Sequence, residues 1–334
     1  MRLSCKCYSF TWTEIVKMII IKELTLLSCE EGFMEKYFTI VSDGSCDLPE
    51  EIVKEKEIGE VHFLVSFDGK EYKKEGVEIR LEDFYGKMVA ESNVFPLTAA
   101  PSPNDYYEVF KEKAKEGKDI LCICISTKLS SSMQSAEIAA KMLAEKYPDI
   151  QVKIIDSLAC TLMQGLYVLE ACRLRDLGYT LKDSIERMNQ LTDTQRIFFT
   201  VGNLEYLEHG GRIGKVASIA GKLLNVKPLI TLKDGEIYSP GLKRGRKKSM
   251  AGTIDLLLDY MEENGYTPEN CSLVIGYCYG YEEAESFQKM LMQSLEEKFG
   301  TTETVPIHRI GATIGVHTGP YAIGIGIIRR SDMV

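Results

Sequence analysis

Asp119-Ile-Leu-Cys-Ile-Cys-Ile-Ser126 is an unbroken apolar run of strand length, ending in a polar turn, Ser126-Thr-Lys-Leu-Ser-Ser-Ser132. A run apolar on both faces fits a strand covered on both sides, as parallel sheets are. The spacing then predicts a helix over Met133–Lys146, a strand over Gln151–Ile155 and a helix over Ala159–Leu177. Cys122 and Cys124, two apart in the run, share one strand face and read as core packing rather than a metal pair.

Upstream, Tyr37–Ser42 reads as a strand and Leu48–Lys56 as a helix. Val61–Phe67 with the Asp68-Gly69 turn reads as a hairpin, and Leu81–Glu91 and Asn104–Glu116 as helices. Strands alternating with helices at this spacing argue for a parallel-sheet α/β domain. Downstream, Gly178 closes a helix and Thr180 and Asp183 suit the cap of the next, Thr180–Leu191. Beyond lie a strand at Ile197–Val201, a helix over Ala217–Leu224 and a hairpin, Pro228–Leu232 with Glu236–Ser239, about Asp234-Gly235. A helix over Lys247–Glu263, a strand over Ser272–Tyr277, a helix over Glu282–Lys298, and strands at Thr304–Arg309 and Ala322–Arg329 follow. The hairpins make this half a mixed or antiparallel α+β domain. The expected division is a weakly ordered extension at 1–35, a parallel-sheet α/β domain at 36–178 and an α+β domain at 179–334.

The 334 residues suffice for two cores, and the formal charge of −9 argues against a nucleic-acid partner. Ten cysteines scattered through apolar segments of a large chain suggest a reducing cytoplasm rather than a disulfide framework. The four histidines show no metal-ligand spacing. Residues 1–33 carry the only tryptophan, Trp12, and interrupt their apolar positions with Glu14, Lys17 and Lys22, so neither a membrane span nor a signal peptide is expected there.

Chemistry-bearing residues gather in polar turns. Asp43-Gly-Ser-Cys-Asp47, Ser126–Ser132 and Asp156-Ser157 each follow a parallel-strand candidate, where α/β sheets bind ligands. Ser126–Ser132 is the best oxyanion candidate, with helix capping by Ser131 or Ser132 as the plain alternative. Phe95–Pro103 is a proline-stiffened loop presenting Thr98. His209-Gly-Gly-Arg-Ile-Gly214 offers Arg212 to a carboxylate or phosphate, with Gly210 as a helix cap in the alternative reading. Arg309-Ile-Gly-Ala-Thr-Ile-Gly-Val-His-Thr-Gly-Pro320 ends an apolar run in a glycine-bounded turn carrying His317. Lys243-Arg-Gly-Arg-Lys-Lys248 is a basic cluster on an acidic chain and reads as a docking patch. No nucleophile elbow, zinc-protease helix or phosphate-binding loop accompanies these turns.

These segments, in order, resemble the bacterial DegV family, the fatty-acid-binding proteins also called FakB. The resemblance rests on Ser42-Asp-Gly-Ser-Cys-Asp-Leu-Pro49, Thr98-Ala-Ala-Pro-Ser-Pro103, Leu129–Ala136, Ile155-Asp-Ser157, Leu204–Ile213, Lys243–Lys248 and His317-Thr-Gly-Pro320, and covers roughly residues 36–330. It implies two α/β domains with a long-chain fatty acid between them as ligand, no cofactor, no metal and no catalytic centre. It further implies that Thr98, Ser130 and His317 hold the carboxylate, with Arg212 near it. Arg244 and Arg246 would meet a separate fatty acid kinase that makes the acyl phosphate. Transient contact with a membrane surface is compatible with that role. The alternative is an acyl or phosphoryl transferase on the same scaffold, using Ser130 with His317. The chain departs from the family at Ala99-Ala100, at Ser131-Ser132 and at Tyr321, where the family has glycine and where bulk bears on the turn or the tunnel mouth.

Overall fold

The computed structural model describes residues 38–91, 93–219 and 226–333. The expected extension at 1–35 lies outside the described residues, as does much of the helix expected over Ala217–Leu224, where a 3-10 helix, Gly214–Ile219, precedes the gap.

The first half builds a four-stranded parallel sheet in the order β2-β1-β6-β7, from β1 (Thr39–Asp43), β2 (Gly59–Val61), β6 (Ile120–Cys124) and β7 (Val152–Asp156). The apolar run of β6 is buried throughout, as a strand covered on both faces must be. Its alternate residues serve two cores. Cys122 and Cys124 face an outer layer with α3 (Pro103–Ala114) and α4 (Ser132–Ala144), their Sγ atoms 3.7 Å apart. Leu121 and Ile123 face the middle of the molecule.

The second half builds a six-stranded mixed sheet, β10-β9-β8-β13-β11-β12. Its strands are β8 (Arg196–Thr200), β9 (Val226–Lys233), β10 (Glu236–Arg244), β11 (Cys271–Tyr277), β12 (Ile307–Arg309) and β13 (Ile323–Arg329). All described pairings in it are antiparallel except β11 with β12. Its outer face packs under α8 (Arg246–Asn264) and α9 (Tyr281–Phe299), with Leu257, Phe287 and Leu291 fully buried.

Between the sheets runs α5 (Thr161–Asp176), which is why it is buried nearly all round rather than along one stripe. The fold is therefore α/β, with a parallel sheet, a mixed sheet and one central core shared between them.

Three expectations differ from the structure. Val61–Phe67 is not one strand: β2 joins the parallel sheet, while β3 (Leu64–Ser66) pairs antiparallel with β4 (Lys73–Lys74) across the Asp68-Gly69 turn as the hairpin expected there. The proline-stiffened loop contains β5 (Leu97–Ala99), paired with β3, so Thr98 sits on a strand opposite Val65. The His317 segment is not a turn after a strand but a short helix, α10 (Ala312–Thr318). Its β-branched residues, Thr313, Ile314 and Val316, disfavour a helix locally. A partner remote in sequence supplies the cap: Glu75 Oε2 accepts from the Thr313 amide at 3.0 Å and from the Thr313 hydroxyl.

Candidate functional site

Glu75 holds the first turn of α10, and Tyr85, from α2 (Leu81–Ala90), places its hydroxyl 2.9 Å from the carbonyls of both Ile310 and Gly311. The last turn carries His317, whose Nε2 lies 3.1 Å from Thr98 Oγ1 on β5. Both ends of α10 are thus fixed by the small antiparallel sheet and the helix beside it. Gly210, the C-cap of α7 (Glu205–His209), lies against the imidazole so closely that a Cβ there would sit 2.1 Å from His317 Nδ1. That nitrogen is buried and has no hydrogen-bond partner among the described residues.

Burial first, and the Arg212 guanidinium second, push His317 down to about 4, so the ring is neutral at pH 7. A neutral ring has one donor and one acceptor nitrogen, and the Thr98 hydroxyl satisfies either role at Nε2.

Thr98, Ser130, Arg212 and His317 all line one cavity of about 310 Å³, at the lower end of the range of small-molecule sites, about 300–1,000 Å³. The rest of its wall is largely apolar, drawn from both sheets and α5: Ile125, Leu162, Met163, Phe199, Leu232 and Ile237 among others. An apolar cavity whose lining also carries hydroxyls and one imidazole suits an amphiphile with an acceptor-rich head. Ser130 Oγ also accepts from the Ser132 amide at 3.2 Å, so the residue both faces the cavity and supports the start of α4. Arg212 is exposed and donates from Nε to Leu129 O at 3.2 Å and from Nη1 to Gly210 O at 2.6 Å, tying the Ser130 turn to the His317 side of the mouth.

Other singled-out residues lie elsewhere. Asp43 is fully buried and accepts from Ser45, Gln164 and the Ile125 amide, a network that closes the end of the parallel sheet. Ser126 donates to Gly235 O, and Asp156 accepts from Thr127 and the Leu158 amide. Ser132 is buried against the Tyr106 hydroxyl at 2.7 Å. In the basic cluster, Arg244 is exposed at the end of β10, whereas Arg246 forms a two-pronged ion pair with Glu283 at 2.9 and 2.7 Å. Tyr321 is 46% exposed against Gly202, without left-handed backbone, and Ala322 rather than Tyr321 lines the cavity that His317 lines. Its bulk therefore neither strains the turn nor enters the cavity. The sequence reading missed Glu75 and Tyr85 as the supports of His317, because neither stands near it in the chain.

The family pattern of the uncharacterised DegV proteins matches residues 37–330, nearly the whole described chain. The chain belongs to the DegV family. Among DegV relatives, a DegV domain-containing protein of Caldanaerobacter subterraneus is 32% identical over 87% of this chain and 98% of its own. Of solved structures, a stearic-acid-binding protein of Eubacterium ventriosum is 37% identical, with a TM-score of 0.83 over 89% of this chain and all of its own. DegV of Bacillus subtilis, a fatty-acid-binding protein, is 27% identical, with a TM-score of 0.74 over 88% of this chain and 99% of its own.

Proposed function

We propose that this DegV protein holds a long-chain fatty acid in the cavity between its two sheets and presents the carboxylate to a separate fatty acid kinase. The observation that carries the reading is the cavity itself: its lining is largely apolar and also includes Ser130 and the hydrogen-bonded pair Thr98 and His317. Hydroxyls donate to a carboxylate without reacting with it, and the fatty-acid-binding relatives share the fold. In this reading residues 36–178 and 179–334 act as two domains closing on the ligand, and Arg212 steadies the mouth while contributing positive charge to the head group. Arg244 is the contact to the kinase. Arg246, engaged by Glu283, sets the start of α8 beside it.

The test is a reconstituted reaction of fatty acid, ATP and a fatty acid kinase, followed by acyl phosphate formation. Acyl phosphate is expected only when kinase and this protein are both present, and Arg244→Glu is expected to reduce it at least about tenfold, as reversal of a charged interface contact does, with fatty acid binding unchanged. Product formed by the isolated protein would support a transferase instead.

A further inference from the structure

The polar turn after β1 ends in Asp47, which takes no part in the site around His317. Asp47 stands against the start of α10, and its Oδ2 accepts from the Thr161 hydroxyl at 2.5 Å. Thr161, the first residue of α5, is left-handed at φ 51°, a conformation a β-branched residue adopts only where its surroundings hold it. On the other side, Glu75 Oε2 accepts from the amide and the hydroxyl of Thr313. Thr161 and Thr313 both line the cavity. The two carboxyls that hold them converge on Gly311. Asp47 Oδ1 and Glu75 Oε1 each stand 2.3 Å from the point a Gly311 Cβ would occupy, so they are at most twice that distance apart, and a side chain at Gly311 would displace them.

Among the described residues no ion pair offsets either charge: Arg309 is paired with Glu82, Arg80 with Asp83 and Lys74 with Asp105. The other ionisable groups facing the pair, Glu60, Cys46, Tyr85, Cys160 and Cys278, add no positive charge. His62 and His308, in the groove beside it, are pushed down by burial and are mostly neutral at pH 7. Two buried carboxylates this close oppose each other's ionisation. Glu75 takes two donors from Thr313 and is the better supported anion. Asp47 Oδ1 is buried without a hydrogen-bond partner among the described residues. Burial and then the Glu75 charge push Asp47 well above the usual carboxylate range, against the Thr161 hydroxyl and the Gly311 amide.

We propose that Asp47 is a positioning residue for the cavity: it keeps its proton at neutral pH, so that the Asp47–Glu75 pair carries one negative charge and braces Thr161 and Thr313 together. The brace ties the start of α5 to the start of α10, which carries His317. Its effect on the ligand rests on the fatty-acid reading above, whereas the single charge of the pair does not.

The test applies infrared spectra, thermal melts and palmitic acid titration to delipidated wild type, Asp47→Asn and Asp47→Ala. The protonated-carboxyl band of wild type at pH 7 is expected to lose a component in Asp47→Asn. Folding raises the pKa of Asp47, so its contribution to stability is full below pH 3.8 and is lost as pH rises through the folded value. Asp47→Asn, which cannot ionise, is expected to lose less stability than wild type over that rise. Asp47→Ala removes the acceptor of Thr161 and is expected to weaken palmitic acid roughly tenfold, the scale of one hydrogen bond. Asp47→Asn is expected to keep wild-type affinity at pH 7. An unchanged infrared band in Asp47→Asn, binding as weak in Asp47→Asn as in Asp47→Ala, or wild-type binding in Asp47→Ala would overturn the proposal. Wild type that binds no palmitic acid while the band changes as expected would overturn the fatty-acid reading and leave the single charge of the pair standing.

Discussion

His317 Nδ1, packed against Gly210, has no hydrogen-bond partner among the described residues, and burial first and the Arg212 guanidinium second shift its titration from the ordinary 6.5 to about 4. The unfolded chain therefore takes up a proton before the folded one does. This histidine's penalty on stability appears as pH falls through 6.5 and is complete once pH passes below about 4. Thermal melts of ligand-free His317→Gln are expected to lose less stability than wild type across that window, with no difference in pH dependence above it. His317→Ala is expected to weaken fatty acid binding roughly tenfold or more, the scale of one hydrogen bond to a charged group. Calorimetry on the delipidated protein checks this. Equal affinity in the variant would remove His317 from the site. As a residue type in a glycine-rich segment, His317 was legible in the sequence; its neutrality was not, because the packing of Gly210 and the charge of Arg212 come from another segment.

Helix α10 shows how an element's conformation can be decided from outside it. Its β-branched residues read as strand or turn, and the structure makes them helical because Glu75 caps the first turn from the edge of the small sheet. Glu75 is 8% exposed, and burial pushes its carboxyl above the ordinary range while the Thr313 donors pull the other way. Glu75→Ala would leave the Thr313 amide unsatisfied in the interior and is expected to cost about 1–3 kcal/mol. It should also weaken fatty acid binding, because α10 carries His317. Chemical denaturation and binding measured on the same variant check both effects. Loss of stability with full binding would mean that α10 does not depend on this cap to place the imidazole. The same remoteness explains β5: its register with β3, opposite Val65, converts a proline-bounded loop into a strand and sets Thr98 toward His317. Helices with local caps were readable in advance. Thr180 accepts from the Asp183 amide as its spacing predicts, and Ser102 and Asp105 form a reciprocal box at the start of α3.

Across the molecule, the alternation of β6 divides the parallel sheet into an outer and a central core, and β13 does the same for the mixed sheet. The parallel arrangement was legible because a continuous apolar run followed by a polar turn and a helix has few other solutions. The mixed sheet was legible as hairpins, whereas its β13 partners, β8 and β11, were not, since strand order depends on contacts far apart in sequence. The described cysteines are free and buried, and burial pushes Cys278 up to about 11, as expected of packing groups rather than nucleophiles. Beside the central core between the two inner faces lies a cavity to which α10, β5 and the Ser130 turn each contribute lining residues. The most direct test is mass spectrometry of lipid released by denaturing protein freshly purified from a bacterial host. The expected result is a long-chain fatty acid approaching one per chain in wild type and depleted in His317→Ala. Wild-type protein that carries no fatty acid and takes up none when it is supplied would contradict the account.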